Sequence, residues 1–287
     1  MPAIQQARSE SLRSERDPTP RSAGLSWSAC GLLAASWISA GAFGLYIVGF
    51  YLGALHAGDP ARWNDNLTGL YNSRHPAALM AIAAHMAAGA VILVLGPVQL
   101  IDAVRQRWPA WHRWIGRLYV LTGFVAGVGG LGFIVIQGTI GGTVMNLGFG
   151  LYGALMVLAA VETYRQARAR RFEKHRIWAL RLFALAIGSW LYRMDYGFWL
   201  LAMHGLGHLE TFRGPFDRVM AFAFYLPNLA VVELWVRGGR LPGGRFSRAA
   251  AAALMNAATL IVAIGTYYFL RYYWGPGILH ALFGHSA

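Results

Sequence analysis

Apolar residues in this chain gather into seven runs of about 20 residues, the length that crosses a bilayer as a helix, with short polar stretches between them. The runs extend from Trp27 to Leu52, Pro76 to Ile101, Ile115 to Gln137, Val144 to Val161, Trp178 to Ala202, Phe216 to Trp235 and Ala249 to Tyr273. They predict an all-α integral membrane protein, a seven-transmembrane helix bundle over residues 26–273. Residues 1–25 read as a disordered cytoplasmic tail and residues 274–287 as a short external tail. No connecting stretch is long enough to hold a soluble catalytic domain, so any chemistry belongs inside the bundle or at its rim. Glycines at 123, 127, 130, 132, 148, 150 and 153 predict that the third and fourth spans pack closely as a hairpin.

Charge adds the orientation. The formal net charge is +13, yet the basic residues alternate by side instead of forming one basic module, which argues against nucleic acid as a partner. Nineteen of the 25 Lys and Arg lie in the N-terminal tail and the loops around Arg105, Arg168 and Arg240. The positive-inside rule then places the N-terminus in the cytoplasm and the C-terminus outside, in a multi-pass protein of the cytoplasmic (inner) membrane whose first partner is the lipid bilayer. Cys30 is the sole cysteine, so one chain can build neither a disulfide framework nor a thiolate cluster. With 12 acidic residues and no phosphate-cradling glycine loop, nucleophile elbow or His-Glu-x-x-His, the soluble-enzyme classes fall away.

Candidate chemistry rests on histidines and a few deep polar residues. His112 and His175 open the third and fifth spans at similar depth, each followed by a Trp-x-x-Arg element. Two such rings on neighbouring parallel helices can clamp a b-type haem iron, with Arg113, Arg117, Arg176 and Arg181 holding its anionic groups. Alternatively they anchor the helices at headgroup level, as interfacial aromatic and basic residues do. His85 lies about 14 Å inside the second span at 1.5 Å per residue, on a stripe that continues to Gln99. At the same depth the other spans carry Tyr152, Arg193, Asp195 and Asn228, which suggests a polar pocket in the outer half of the bundle. There His85 and Asp195 would handle protons. His204 and His208 are four apart, a metal-compatible spacing on a helix, but Gly205 and Gly207 between them favour a loop.

From the His85 helix to Gly96-Pro97-Val98-Gln99, then through His112-Arg113-Trp114-Ile115-Gly116-Arg117 and His175-Arg176-Ile177-Trp178, ending near Arg193, the chain resembles a bacterial family of multi-pass membrane proteins of unknown function. That resemblance covers roughly Pro76 to Arg193 and implies a membrane location without an activity. More loosely, the recurring histidines are similar to those of transmembrane two-haem cytochromes and ferric-reductase-like proteins. The fourth span has no histidine to partner His85, so the pattern implies at most one haem. Three readings stay open: a redox protein using haem or quinone, a carrier or binding protein for a small lipophilic or anionic ligand, and a membrane-embedded acid/base enzyme using His85 and Asp195. A structural subunit whose polar residues only fix packing is the fourth, and the oligomeric state is undetermined.

Overall fold

The structure is a computed structural model that describes residues 23–238 and 245–283. The predicted tail at 1–25 lies outside it up to residue 22. Every regular element among the described residues is helical: α1 (Ala23–Tyr46), α2 (Gly53–His56), α3 (Trp63–Asn66), α4 (Pro76–Gln99), α5 (Asp102–Arg107), α6 (Pro109–Ile136) and α7 (Gly142–Arg168) come first. They are followed by α8 (Phe172–Ala186), α9 (Gly188–Met203), α10 (Pro215–Ala223), α11 (Leu226–Gly238), α12 (Arg245–Phe269) and α13 (Gly275–Phe283). Two π segments, Ile47–Leu52 after α1 and Leu270–Trp274 after α12, carry those helices onward. Beyond Tyr273 the chain therefore stays helical, and Trp274 is wholly buried.

Five helices are long and apolar enough to cross a membrane: Trp27–His56, Pro76–Gln99, Pro109–Ile136, Gly142–Arg168 and Ala249–Leu279. The fifth and sixth predicted spans are instead pairs of shorter helices laid end to end. Between α8 and α9, Ile187 keeps helical dihedrals (φ −71°, ψ −17°), and the Leu185 carbonyl beside the break accepts a hydrogen bond from the Tyr152 hydroxyl at 2.9 Å. A side chain inserted into the backbone ladder is a common origin of such a break. Between α10 and α11, Pro227 has no N–H to offer the Ala223 carbonyl one turn back.

The core is the packing of α4 on α6, α6 on α7 and α7 on α8, with α1 against α4 and α12 against α1. Missing side chains let these backbones meet. A Cβ on Gly129 of α6 would stand 2.6 Å from the Ala81 carbonyl of α4, and one on Gly127 would stand 3.0 Å from the Gly153 carbonyl of α7. Gly148 of α7 lies against the Ala221 carbonyl of α10 in the same way. The close α6–α7 contact is the hairpin that the glycine spacing predicted, and Gly138 and Gly142 turn its connection with φ of +78° and +69°.

Candidate functional site

The loops rich in arginine gather at one end of the bundle, and a cavity of about 630 Å³ opens near the other. Both π segments border it: Tyr46 and Tyr51 flank or belong to the first, and Tyr272, Tyr273 and Trp274 to the second. A π turn rotates the following side chains out of register and is found often beside functional sites. Tyr152, Tyr192, Tyr196, Phe224 and Phe269 complete a largely aromatic wall. The loop at 66–70 closes the end, held by Gln137, whose side chain donates to the Gly69 carbonyl at 2.6 Å. Towards α9 and the end of α12 the lining residues Leu201, Tyr272 and Tyr273 are about 60% exposed (58%, 66% and 63%), so the cavity opens sideways there.

Into this cavity α4 brings His85. Gly129 and Gly130 of α6 leave its ring against bare backbone: a Cβ on Gly130 would stand 3.1 Å from Nδ1. Nδ1 lies 2.7 Å from the Ala126 carbonyl and must donate to it, since a carbonyl only accepts. In the neutral ring Nε2 is then the nitrogen left to accept. From α9 comes Arg193, whose guanidinium donates to the Ser189 carbonyl at 2.9 Å and lies 4.6 Å from the centre of the buried Phe43 ring. Among the described residues no carboxylate stands within ion-pair distance of it.

Of the residues grouped by depth, His85, Tyr152 and Arg193 line the cavity together. Asp195, Gln99 and Asn228 do not. Asp195 sits two residues from Arg193, about 200° around the helix, so the two cannot face one space; it pairs with neither Arg193 nor His85. Gln99 shares the face of His85 but lies 14 residues further, about 21 Å along the axis. Asn228 turns its amide back onto the Phe224 carbonyl, 3.0 Å away, at the break before α11.

A group that the sequence did not single out completes the cavity. Asp217, wholly buried, accepts from His208 Nδ1 at 2.7 Å, the Tyr196 hydroxyl at 2.8 Å, the Gly214 N–H at 2.9 Å and the Leu209 N–H at 3.0 Å. His208 and Tyr196 both line the cavity. The local signal was present: Gly214-Pro215-Phe216-Asp217 places Pro at the first and an acid at the third position of a helix, as in a capping box. Nothing in that signal points to His208 or Tyr196, which only the fold delivers. Residues 204–214 form a loop with positive φ at His204, Gly205, Gly207 and Phe212, so His204 and His208 share no helix face.

At the basic end, His112 and His175 lie near enough to interact electrostatically. His175 Nδ1 donates to the Thr163 carbonyl at 2.9 Å, whereas His112 Nδ1 is buried with no partner among the described residues. Arg181 is held by Glu233 through two hydrogen bonds of 2.6 and 3.1 Å and stacks on Trp178, and Arg117 stacks on Trp114. Arg113 and Arg176 belong to the same ends of α6 and α8. Just inward the helices are closed up: a Cβ on Gly123 would meet Leu182 at 3.1 Å, and one on Gly96 would meet Phe183 and Tyr119 at 3.2 Å. Among the described residues no three His, Cys, Asp or Glu gather as metal ligands.

The family model described as "Predicted membrane protein (DUF2306)" matches residues 82–236, more than half of the chain and a stretch containing His85, His112, His175, Arg193 and Asp217. No curated protein and no solved structure matches the chain.

Proposed function

The chain belongs to this family of predicted membrane proteins, and from that premise we propose that it holds a small amphiphilic anion in the aromatic cavity, within the membrane. The observation that carries the reading is Arg193. A guanidinium inside an apolar, aromatic cavity needs a negative partner, and the described residues supply only a carbonyl and a ring face. A ligand carboxylate or phosphate at Arg193, with its hydrocarbon along the tyrosine and phenylalanine wall, meets both needs. The sideways opening suits a ligand that arrives from the bilayer. In this reading α8–α9 and α10–α11 each make one crossing, for seven in all. The arginine-rich loops face the cytoplasm and the cavity lies in the outer half of the cytoplasmic membrane. Native mass spectrometry of the protein released from mild detergent, and fluorescence titration with decanoate, test the reading. Wild-type protein should bind decanoate and Arg193→Gln should not; equal binding by both defeats it.

A second reading, redox function with haem b on His112 and His175 or with quinone, draws on the unpartnered His112 Nδ1. A macrocycle there would have to displace the Leu182 and Phe183 packing against Gly123 and Gly96, and Arg181 is already paired with Glu233. The packing favours the first reading. A dithionite-reduced spectrum with sharp α and β bands, absent in His112→Ala, would reverse the preference.

A further inference from the structure

We infer that a proton path runs along one face of α6, from the half-exposed histidines at the basic end to the aromatic cavity. His112, Gly116, Tyr119, Gly123 and Ala126 recur on α6 at spacings of three and four, a single helix face about 21 Å long. Ala126 at its far end holds His85 through its carbonyl. Close to this face lie side-chain atoms that are buried and have no hydrogen-bond partner among the described residues: His112 Nδ1, Gln99 Nε2 and the Tyr119 hydroxyl. Native interiors leave few such atoms, and ordered water commonly satisfies them.

The order of the groups makes a route. His112 is the entry, with the arginines Arg105 and Arg113 and the imidazole of His175 as its neighbours. One turn further, Gln99 of α4 occupies the space over Gly116, its Oε1 3.2 Å from where a Cβ would stand. Three residues beyond is Tyr119, only 4% exposed, its ring packed over Gly96 of α4 and its hydroxyl buried with no partner among the described residues. Tyr152 donates to the Leu185 carbonyl and lines the cavity that contains His85 and Arg193. Imidazole, phenol and water each donate and accept, so a proton taken up at one end is released at the other, every transfer breaking one N–H or O–H bond and making the next. Gln99 orients water and carries no proton itself. The moved charge is balanced by a counter-ion or by the anion at Arg193. The inference rests on the ligand reading only in taking the cavity as the far terminus.

The test uses the full chain in phosphatidylcholine vesicles that enclose a pH-sensitive dye, with potassium and valinomycin to balance charge. After an external acid step, wild-type vesicles should acidify faster than protein-free ones. Tyr119→Phe, which removes only the oxygen, should return the rate to that of protein-free vesicles, as should His112→Phe. Decanoate binding, measured in parallel, should be unchanged in Tyr119→Phe and shows that the variant is folded. Wild-type flux equal to the protein-free leak, or Tyr119→Phe conducting as fast as wild type, overturns the path. Binding without flux leaves the ligand reading standing, and flux without binding removes that reading alone.

Discussion

Arg193 and Asp217 are opposite charges buried under opposite conditions. Asp217 is fully engaged, with four donors on two oxygens, whereas Arg193 is bonded to one carbonyl and one ring. The first pattern fixes a loop and the second leaves a charge facing space. Replacing Asp217 with Ala leaves four donors without their shared acceptor at a wholly buried position, and breaking a buried charge network in this way costs about 3–5 kcal/mol. Asp217→Ala should therefore unfold at clearly lower temperature in detergent, while Asp217→Asn, which keeps two acceptor contacts to the backbone, should lose less. Arg193→Gln should instead leave thermal stability in ligand-free detergent nearly intact and abolish the stabilisation that decanoate gives wild type. Linkage requires that loss if binding is lost, because a ligand stabilises only the state it binds. Depth counting in the sequence found His85, Tyr152 and Arg193 because each helix rises by a constant step. It misplaced Asp195, which differs from Arg193 in angle and not in depth, and it passed over Asp217, whose partners come from two other segments.

Helices in this bundle are positioned by where side chains are missing. Gly148 and Gly150 neighbour each other on α7 and look alike in sequence, yet Gly148 lies against the Ala221 carbonyl and Gly150 has open space around it. A methyl group at 148 must push α10 away, and inserting extra volume into a packed contact typically costs about 1–3 kcal/mol. Gly148→Ala should lower the unfolding temperature, and Gly150→Ala should leave it unchanged or raise it slightly, because alanine favours the helix. Equal effects of the two would show that α7 and α10 are not in backbone contact. At this scale the apolar runs marked where α1, α4, α6, α7 and α12 lie, since hydropathy over an unbroken helix is a local property. The breaks at Ile187 and Phe224 were not legible in the same way. One coincides with the Tyr152 hydroxyl reaching the Leu185 carbonyl from another helix, and Pro227 signalled the other without saying that the chain would continue in line.

For the whole molecule, topology turns on the composite pairs α8–α9 and α10–α11, which either cross the membrane or turn back within it. The dihedrals of Ile187 are helical, and hydrogen bonds continue across the break from Ile187 N–H to the Phe183 carbonyl and from Leu191 N–H to the Ile187 carbonyl. A chain that reversed direction there would have to lose both, which supports the proposal of one crossing, about 47 Å long at 1.5 Å per residue over residues 172–203. That length exceeds the hydrocarbon core of about 30 Å, so in the proposed topology the ends at Phe172 and Met203 lie beyond it on opposite sides. Ala169, in the loop before α8, and Thr211, in the loop after α9, are both exposed and should then be reached from different compartments. Cys30 is the sole cysteine, so a Cys30→Ser background allows each to be tagged by one substitution. Thr211→Cys, and Thr68→Cys at an exposed position of the 66–70 loop that closes the cavity, should react with a membrane-impermeant maleimide in intact spheroplasts, and Ala169→Cys only after permeabilisation. The positive-inside rule predicts the same sidedness independently, because Ala169 lies among Arg165, Arg168, Arg170 and Arg171. Thr211 and Ala169 labelling from one side would make α8–α9 a re-entrant pair, open the cavity wall at α9 to a different compartment and remove the outer location assigned to Arg193.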